Sequence, residues 1–103
     1  MKFETILKSK YNIEPSKYMS MAKQRASKLG YNKELNFADD GQHKLEYDGI
    51  KFGNTENKDY IIYYLTQGED KANLMRKAYH SRMFADTSGR TITKKMRLTR
   101  INW

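Results

Sequence analysis

Between Pro15 and Gly30 the apolar residues Tyr18, Met19, Ala22, Ala26 and Leu29 recur at the spacing of one helical face, while Lys17, Lys23, Gln24 and Lys28 fall on the others. Proline suits a first helical turn and glycine the left-handed residue that follows a last one. Residues 15 to 29 are therefore predicted to be a helix with one packing side and one basic side.

After this segment the period changes from helical to alternating. Leu35-Asn36-Phe37, the run from His43 to Tyr47, and Ile50-Lys51-Phe52 read as short antiparallel strands, with a turn from Ala38 to Gly41. Asp48-Gly49 is the pair that a two-residue type I′ turn requires, because both central positions need positive φ. That turn sets Tyr47 opposite Ile50, Glu46 opposite Lys51 and Leu45 opposite Phe52, giving an apolar face and an opposite-charge pair. Gly53, just past Phe52, is grouped with Asp48 and Gly49 as a structural turn position.

Asp59 to Leu65 is rich in β-branched and aromatic residues and is read as a fourth strand, although a buried helical turn has the same composition. Beyond Gly68, the residues Ala72, Met75, Tyr79 and Met83 form the stripe of a second amphipathic helix, flanked by Arg76, Lys77 and Arg82. The expected architecture is α+β: an antiparallel meander of three or four strands packed against two amphipathic helices, with a basic C-terminal tail. Residues 1–14 are an N-terminal segment, 15–86 a single domain and 87–103 the tail. The tail carries Arg90, Lys94, Lys95, Arg97 and Arg100 and no acid, so it is expected to be an arm, a segment ordered by a partner, or a closing strand.

Composition narrows the function. A chain of 103 residues supports one modest core, and no repeat, low-complexity tract or Gly/Ser linker divides it. Lys and Arg number 20 against 12 Asp and Glu, a formal charge of +8. Such a surplus attracts nucleic acid, anionic membrane surfaces or acidic protein patches alike. The absence of cysteine removes disulfides, thiolate zinc sites and thiol nucleophiles. Glu4, Lys8 and Lys10 interrupt the amino-terminal stretch, so neither a signal peptide nor a membrane-spanning helix is expected there, and the protein is placed inside a cell or a particle.

No pattern for catalysis emerges. His43 and His80 are the only histidines and neither has metal-ligand spacing around it. Asp39-Asp40-Gly41 and Asp48-Gly49 lack the alternation and closing glutamate of a calcium loop. Neither a phosphate-binding glycine loop nor a nucleophile elbow occurs. A non-enzymatic protein without cofactor or metal is expected. The candidate contacts to a partner or nucleic acid are His43, Lys44, Arg76, Lys77, Arg82, Arg90, Lys94, Lys95, Arg97 and Arg100. The simpler reading of His43 is a strand residue beside a turn that satisfies a backbone carbonyl, and the functional one a contact to phosphate or to a partner's carboxylate. The aromatic residues are candidates for stacking on single strands, with Leu45, Tyr47 and Phe52 assigned instead to the core.

The order of features, PSKYMSMAKQRASKLGY, then LNFADDGQHKLEYDG, then KFG followed by DY, then RKAYHSR, resembles small basic proteins of uncertain function from large double-stranded DNA viruses. His43, Lys44, Phe52, Gly53, Asp59, Tyr60, Arg76, Tyr79 and Arg82 are the matching positions, and the resemblance spans roughly residues 15 to 83. It implies a setting, the virion or the interior of an infected cell, more than a mechanism. In that setting the expected role is a structural one, a minor capsid protein or other virion component that cements neighbouring proteins through basic surfaces. The alternative is a non-enzymatic nucleic-acid-binding protein, acting in DNA binding or packaging.

Overall fold

The computed structural model describes residues 1–84 and 93–103. The elements in chain order are α1 (Phe3–Tyr11), α2 (Pro15–Lys28), β1 (Leu35–Phe37), β2 (His43–Tyr47), β3 (Ile50–Asn54), α3 (Tyr60–Gln67), α4 (Glu69–Phe84) and α5 (Lys94–Leu98), followed by a 3-10 turn at Thr99–Ile101. The strands form one antiparallel meander in the order β1-β2-β3. The fold is thus α+β, a three-stranded meander with five helices.

The hairpin follows from its turn. Asp48 and Gly49 have φ of 52° and 78°, and the β2–β3 register places Tyr47 against Ile50, Glu46 against Lys51 and Leu45 against Phe52, as the sequence predicts. Leu45 and Phe52 are fully buried and Tyr47 nearly so. Gly53 does not turn the chain. It lies in β3 with φ of +84°, and its role is close approach.

Helix α2 also forms where expected, burying Tyr18, Ala22 and Ala26 four residues apart. Leu29, assigned to the packing face, is instead exposed, because the helix has ended and Gly30 has taken the left-handed conformation. Helix α1 is absent from the sequence reading. It buries Phe3 and Leu7, carries Glu4 in its first turn and Lys8 and Lys10 in its last, and stops at Asn12 in the left-handed region.

The stretch from Asp59 corrects the expected fourth strand. Asp59 caps a helix, its Oδ1 accepting from the Ile62 N–H at 2.8 Å. Tyr60, Ile61 and Ile62 are then buried on the inner side of α3. Packing outweighs the β propensity of the isoleucines and tyrosines. Gly68 ends α3, and α4 runs on from it as predicted, with Ala72 buried and Met75 and Tyr79 half-buried.

The tail is corrected as well. Its residues 87–92 lie outside the described residues, but the rest is neither an arm nor a strand. Thr93 caps α5, and Leu98 and Ile101, three apart, are fully buried in the common core with Phe3, Leu7, Tyr18, Leu45, Phe52, Ile61 and Ile62. Arg25 donates from Nε to the Ile101 carbonyl at 2.7 Å, and Arg76 from Nε to the Trp103 backbone oxygen at 2.9 Å. Two cations from two different helices thus satisfy backbone acceptors at the close of the chain's last turn. Among the described residues, no helix is long and apolar enough to cross a membrane.

Candidate functional site

Beneath the surface lies a buried polar cluster. Lys44 is 1% exposed and Asp59 0%, and the Lys44 ammonium donates to Asp59 Oδ2 at 2.9 Å. The same oxygen accepts from the Tyr18 hydroxyl at 2.5 Å, while Oδ1 caps α3. Burial, then the Asp59 charge, raises the Tyr18 pKa well above the ordinary phenol value, so its hydroxyl stays a donor. Lys44 Nζ also sits 5.4 Å from the centre of the Phe3 ring. This removes Lys44 from the surface set. Its partner is fifteen residues further along the chain, in a segment read as a strand.

Asn102 completes the cluster. It is 1% exposed, its backbone oxygen accepts from the Tyr60 N–H at 3.0 Å, and its amide lies beside the Tyr18 hydroxyl without a hydrogen bond of ordinary geometry on either amide atom. Gly53 makes room for it. A Cβ built on Gly53 would lie 2.9 Å from Asn102 Nδ2 and 3.1 Å from Lys44 Cβ.

The remaining predicted contacts divide into three places. On the hairpin, His43 Nδ1 pairs with Asp40 Oδ2 at 2.6 Å and its Nε2 lies 3.2 Å from Lys95 Nζ, while Lys94 and Lys33 both reach Asp48 Oδ2 at 3.2 Å. The close of the chain therefore folds its lysines back onto the two turns of the meander. Lys77 and Arg97 are simply exposed, and Arg90 lies outside the described residues.

These charges act on the carboxylates of the two turns. The Asp40 carboxyl is pulled far below its usual range, first by the His43 side chain and then by the N–H groups of His43 and Gln42. Asp48 is lowered by hydrogen bonds from Lys33 and Lys94. Depressed carboxyl values mean that this stabilisation is complete above the ordinary value near 3.8 and is lost as pH falls below it. Thermal unfolding followed as the pH is lowered from about 5 to about 2 should show a falling midpoint. Asp40→Asn should flatten that fall; an unchanged acid limb would remove Asp40 from its cause.

The second place is a basic cavity of about 390 Å³ between α2, α4 and the 3-10 turn. Arg25, Lys28, Arg76 and Arg100 line it together with His80 and Leu29, and no carboxylate is among the described lining residues. The charge leaves its mark on His80, whose pKa is lowered by burial and then by Arg76, with Arg100 and Arg25 adding to the effect. Arg25 is lowered too, by burial first, with Arg76 opposing its charge. Of these cations only Arg76 and Arg100 were singled out from sequence. Arg25 and Lys28 are on the basic side of α2, whose meeting with residue 100 no local pattern announces.

The third place is a cavity of about 370 Å³ on a neighbouring face of α4, whose described lining includes Lys58, Tyr63, Tyr79, Arg82 and Trp103. Tyr79 and Trp103 are stacked with ring centres 4.2 Å apart and planes 3° from parallel. Lys58 Nζ lies 5.6 Å from the centre of the Tyr63 ring. Among the described residues no group of three or more His, Asp or Glu side chains is placed to hold a metal ion.

No protein-family model, curated protein or solved structure matches this chain.

Proposed function

We propose that the protein is a non-enzymatic nucleic-acid-binding protein. The observation that supports this most directly is the basic cavity: among its described lining residues are four Lys and Arg side chains and a histidine around about 390 Å³, and no acid. Cations gathered in one cavity gain from a polyanion, because phosphate sets attraction against the repulsion among them. The formal charge of +8 adds a long-range field that would steer such a partner toward the surface. The viral setting implied by the sequence resemblance agrees with a role in DNA binding or packaging.

The test is binding to duplex and single-stranded DNA over a salt series. Affinity should fall steeply, with a log-log slope of about −0.9 per neutralised duplex phosphate and about −0.7 per single-strand phosphate. Lys28→Ala should lower the slope by about one phosphate contact, since that side chain is exposed. Negligible binding at low salt would sink the reading.

A second reading, a minor capsid or other virion component that cements its neighbours, is favoured by Leu74 and Tyr64, which are 61% and 40% exposed on α4 and α3. Recovery in fixed ratio with purified particles, insensitive to nuclease, would support it over the first.

A further inference from the structure

We infer that the basic cavity between α2, α4 and the 3-10 turn receives a nucleotide phosphomonoester, the dianionic group found at the end of a nucleic-acid strand. The inference rests on the nucleic-acid reading above and names the part of the polymer that this cavity recognises.

Three observations converge. First, the cavity is of small-ligand size, about 390 Å³, which suits one phosphate with its sugar better than a run of backbone. Second, Arg25 is oriented without being neutralised. Its Nε donates to the Ile101 carbonyl at 2.7 Å and its Nη2 to the Arg100 carbonyl at 3.3 Å, and its guanidinium sits 4.3 Å from the centre of the Tyr60 ring. Carbonyls and a neutral ring fix the plane of the group, but they carry no formal charge to set against it. Arg76 is held in a similar way at one point, its Nε donating to the Trp103 backbone oxygen at 2.9 Å. Third, the cations act on a common point. His80 of α4 has its pKa lowered by burial and then by Arg76 of its own helix, with Arg100 from the 3-10 turn and Arg25 from α2 adding to this, against a hydrogen bond with the Trp103 backbone that raises it. A terminal phosphate carries about two negative charges near pH 7 and an internal phosphodiester about one, so the terminal group gains more from such a field.

The surroundings of the cavity also give the rest of a strand a path. A neighbouring cavity of about 490 Å³ shares Arg25 and Lys28 with it and takes in Lys17, Ser20 and Gln24. With Lys28 these residues follow one another at three- and four-residue steps along one face of α2. Glu69 lines that second cavity as well, so the sharper concentration of cations is in the first. A strand whose end enters the first cavity continues along α2. An internal phosphate would need the chain to leave the cavity twice.

The experiment uses the full chain and single-stranded oligonucleotides of one sequence that have hydroxyl groups at both ends, or a phosphate at one end or at the other. A nucleoside monophosphate and a phosphoserine peptide are measured beside them. His43 and His80 are the only histidines, so the ring resonances of both are followed by NMR through a pH titration with each probe. The expected result is that one phosphorylated end binds roughly tenfold tighter than the hydroxyl-ended strand, the worth of one charge-assisted hydrogen bond. The titration midpoint of His80 should then stand higher with that strand than with the hydroxyl-ended one, because an added anion favours the charged imidazole, while the midpoint of His43 is the same with both. Lys28→Glu should shrink the preference for the phosphorylated end, its thermal midpoint serving as the check that the fold is kept. Binding of the monophosphate as tight as that of the strand would make the free nucleotide the source of the same chemistry and would still support the site. If phosphorylated and hydroxyl ends bind alike, or His80 responds to them alike, the inference is overturned while the charge-driven reading stands. Tighter binding of the phosphoserine peptide than of any nucleotide would overturn it in favour of a phosphorylated protein. Failure of every anion to bind would overturn both readings.

Discussion

Asp59→Ala is expected to lower the unfolding free energy by about 3–5 kcal/mol, a large part of the total for a domain of this size. One carboxylate holds three donors: the Lys44 ammonium at 2.9 Å, the Tyr18 hydroxyl at 2.5 Å and the Ile62 N–H at 2.8 Å. Removing it strands a buried cation and a buried phenol and uncaps α3. The size of the effect comes from what is left unpaired, since taking both charges from water offsets most of the attraction between them. Lys44→Met and Asp59→Asn should therefore each be costly alone, whereas the two together, which leave a neutral cap, should cost clearly less than the sum of the single changes. Urea midpoints of the four proteins decide the matter. Additive losses would mean that the pair does not act as a unit.

The second large effect is expected at Gly53. Gly53→Ala should destabilise by about 2–4 kcal/mol, because two separate costs fall on one methyl group. The backbone has φ of +84°, and the new Cβ would stand 2.9 Å from the Asn102 amide and 3.1 Å from Lys44 Cβ. Gly49 provides the comparison. Its φ is +78° and nothing lies within 4 Å of an added Cβ, so Gly49→Ala should carry only the conformational cost of about 1–2 kcal/mol. Equal midpoints for the two variants would show that the crowding at Gly53 is relieved by movement of Asn102. A larger loss at Gly53, with a shift in Trp103 fluorescence, would tie the strand to the close of the chain.

These two sites also show where sequence reasoning reaches and where it stops. The β2–β3 hairpin was legible because everything that fixes it is local: a turn pair, an alternation and three cross-strand partners within eight residues. Helix α2 was legible for the same reason. Asp59 through Leu65 was misread because a run of Ile and Tyr satisfies either period, although Asp59 ahead of that run is itself a capping signal. Lys44 was assigned to the surface on its residue type, and only the three-dimensional meeting with Asp59 and Tyr18 accounts for its burial. The closing segment was assigned to solvent on its charge. Its anchors are two apolar side chains, Leu98 and Ile101, set among four cations, too few to show a face by themselves. The two cavities are harder still, since each joins segments far apart in sequence, residues 25–29 with 76–100 in one and 44–63 with 75–103 in the other.

The long reach of the closing segment has a kinetic consequence. The hairpin pairs residues that are close in sequence, while Arg25 and Ile101 meet across 76 residues. Closing so large a loop is entropically slow to be rewarded, so the meander and α2 are expected to organise before the segment docks. Contacts made after the transition state govern how fast a protein comes apart more than how fast it assembles. Whatever tightens the docked segment would on this account lengthen the lifetime of the native state and leave its rate of formation nearly unaltered.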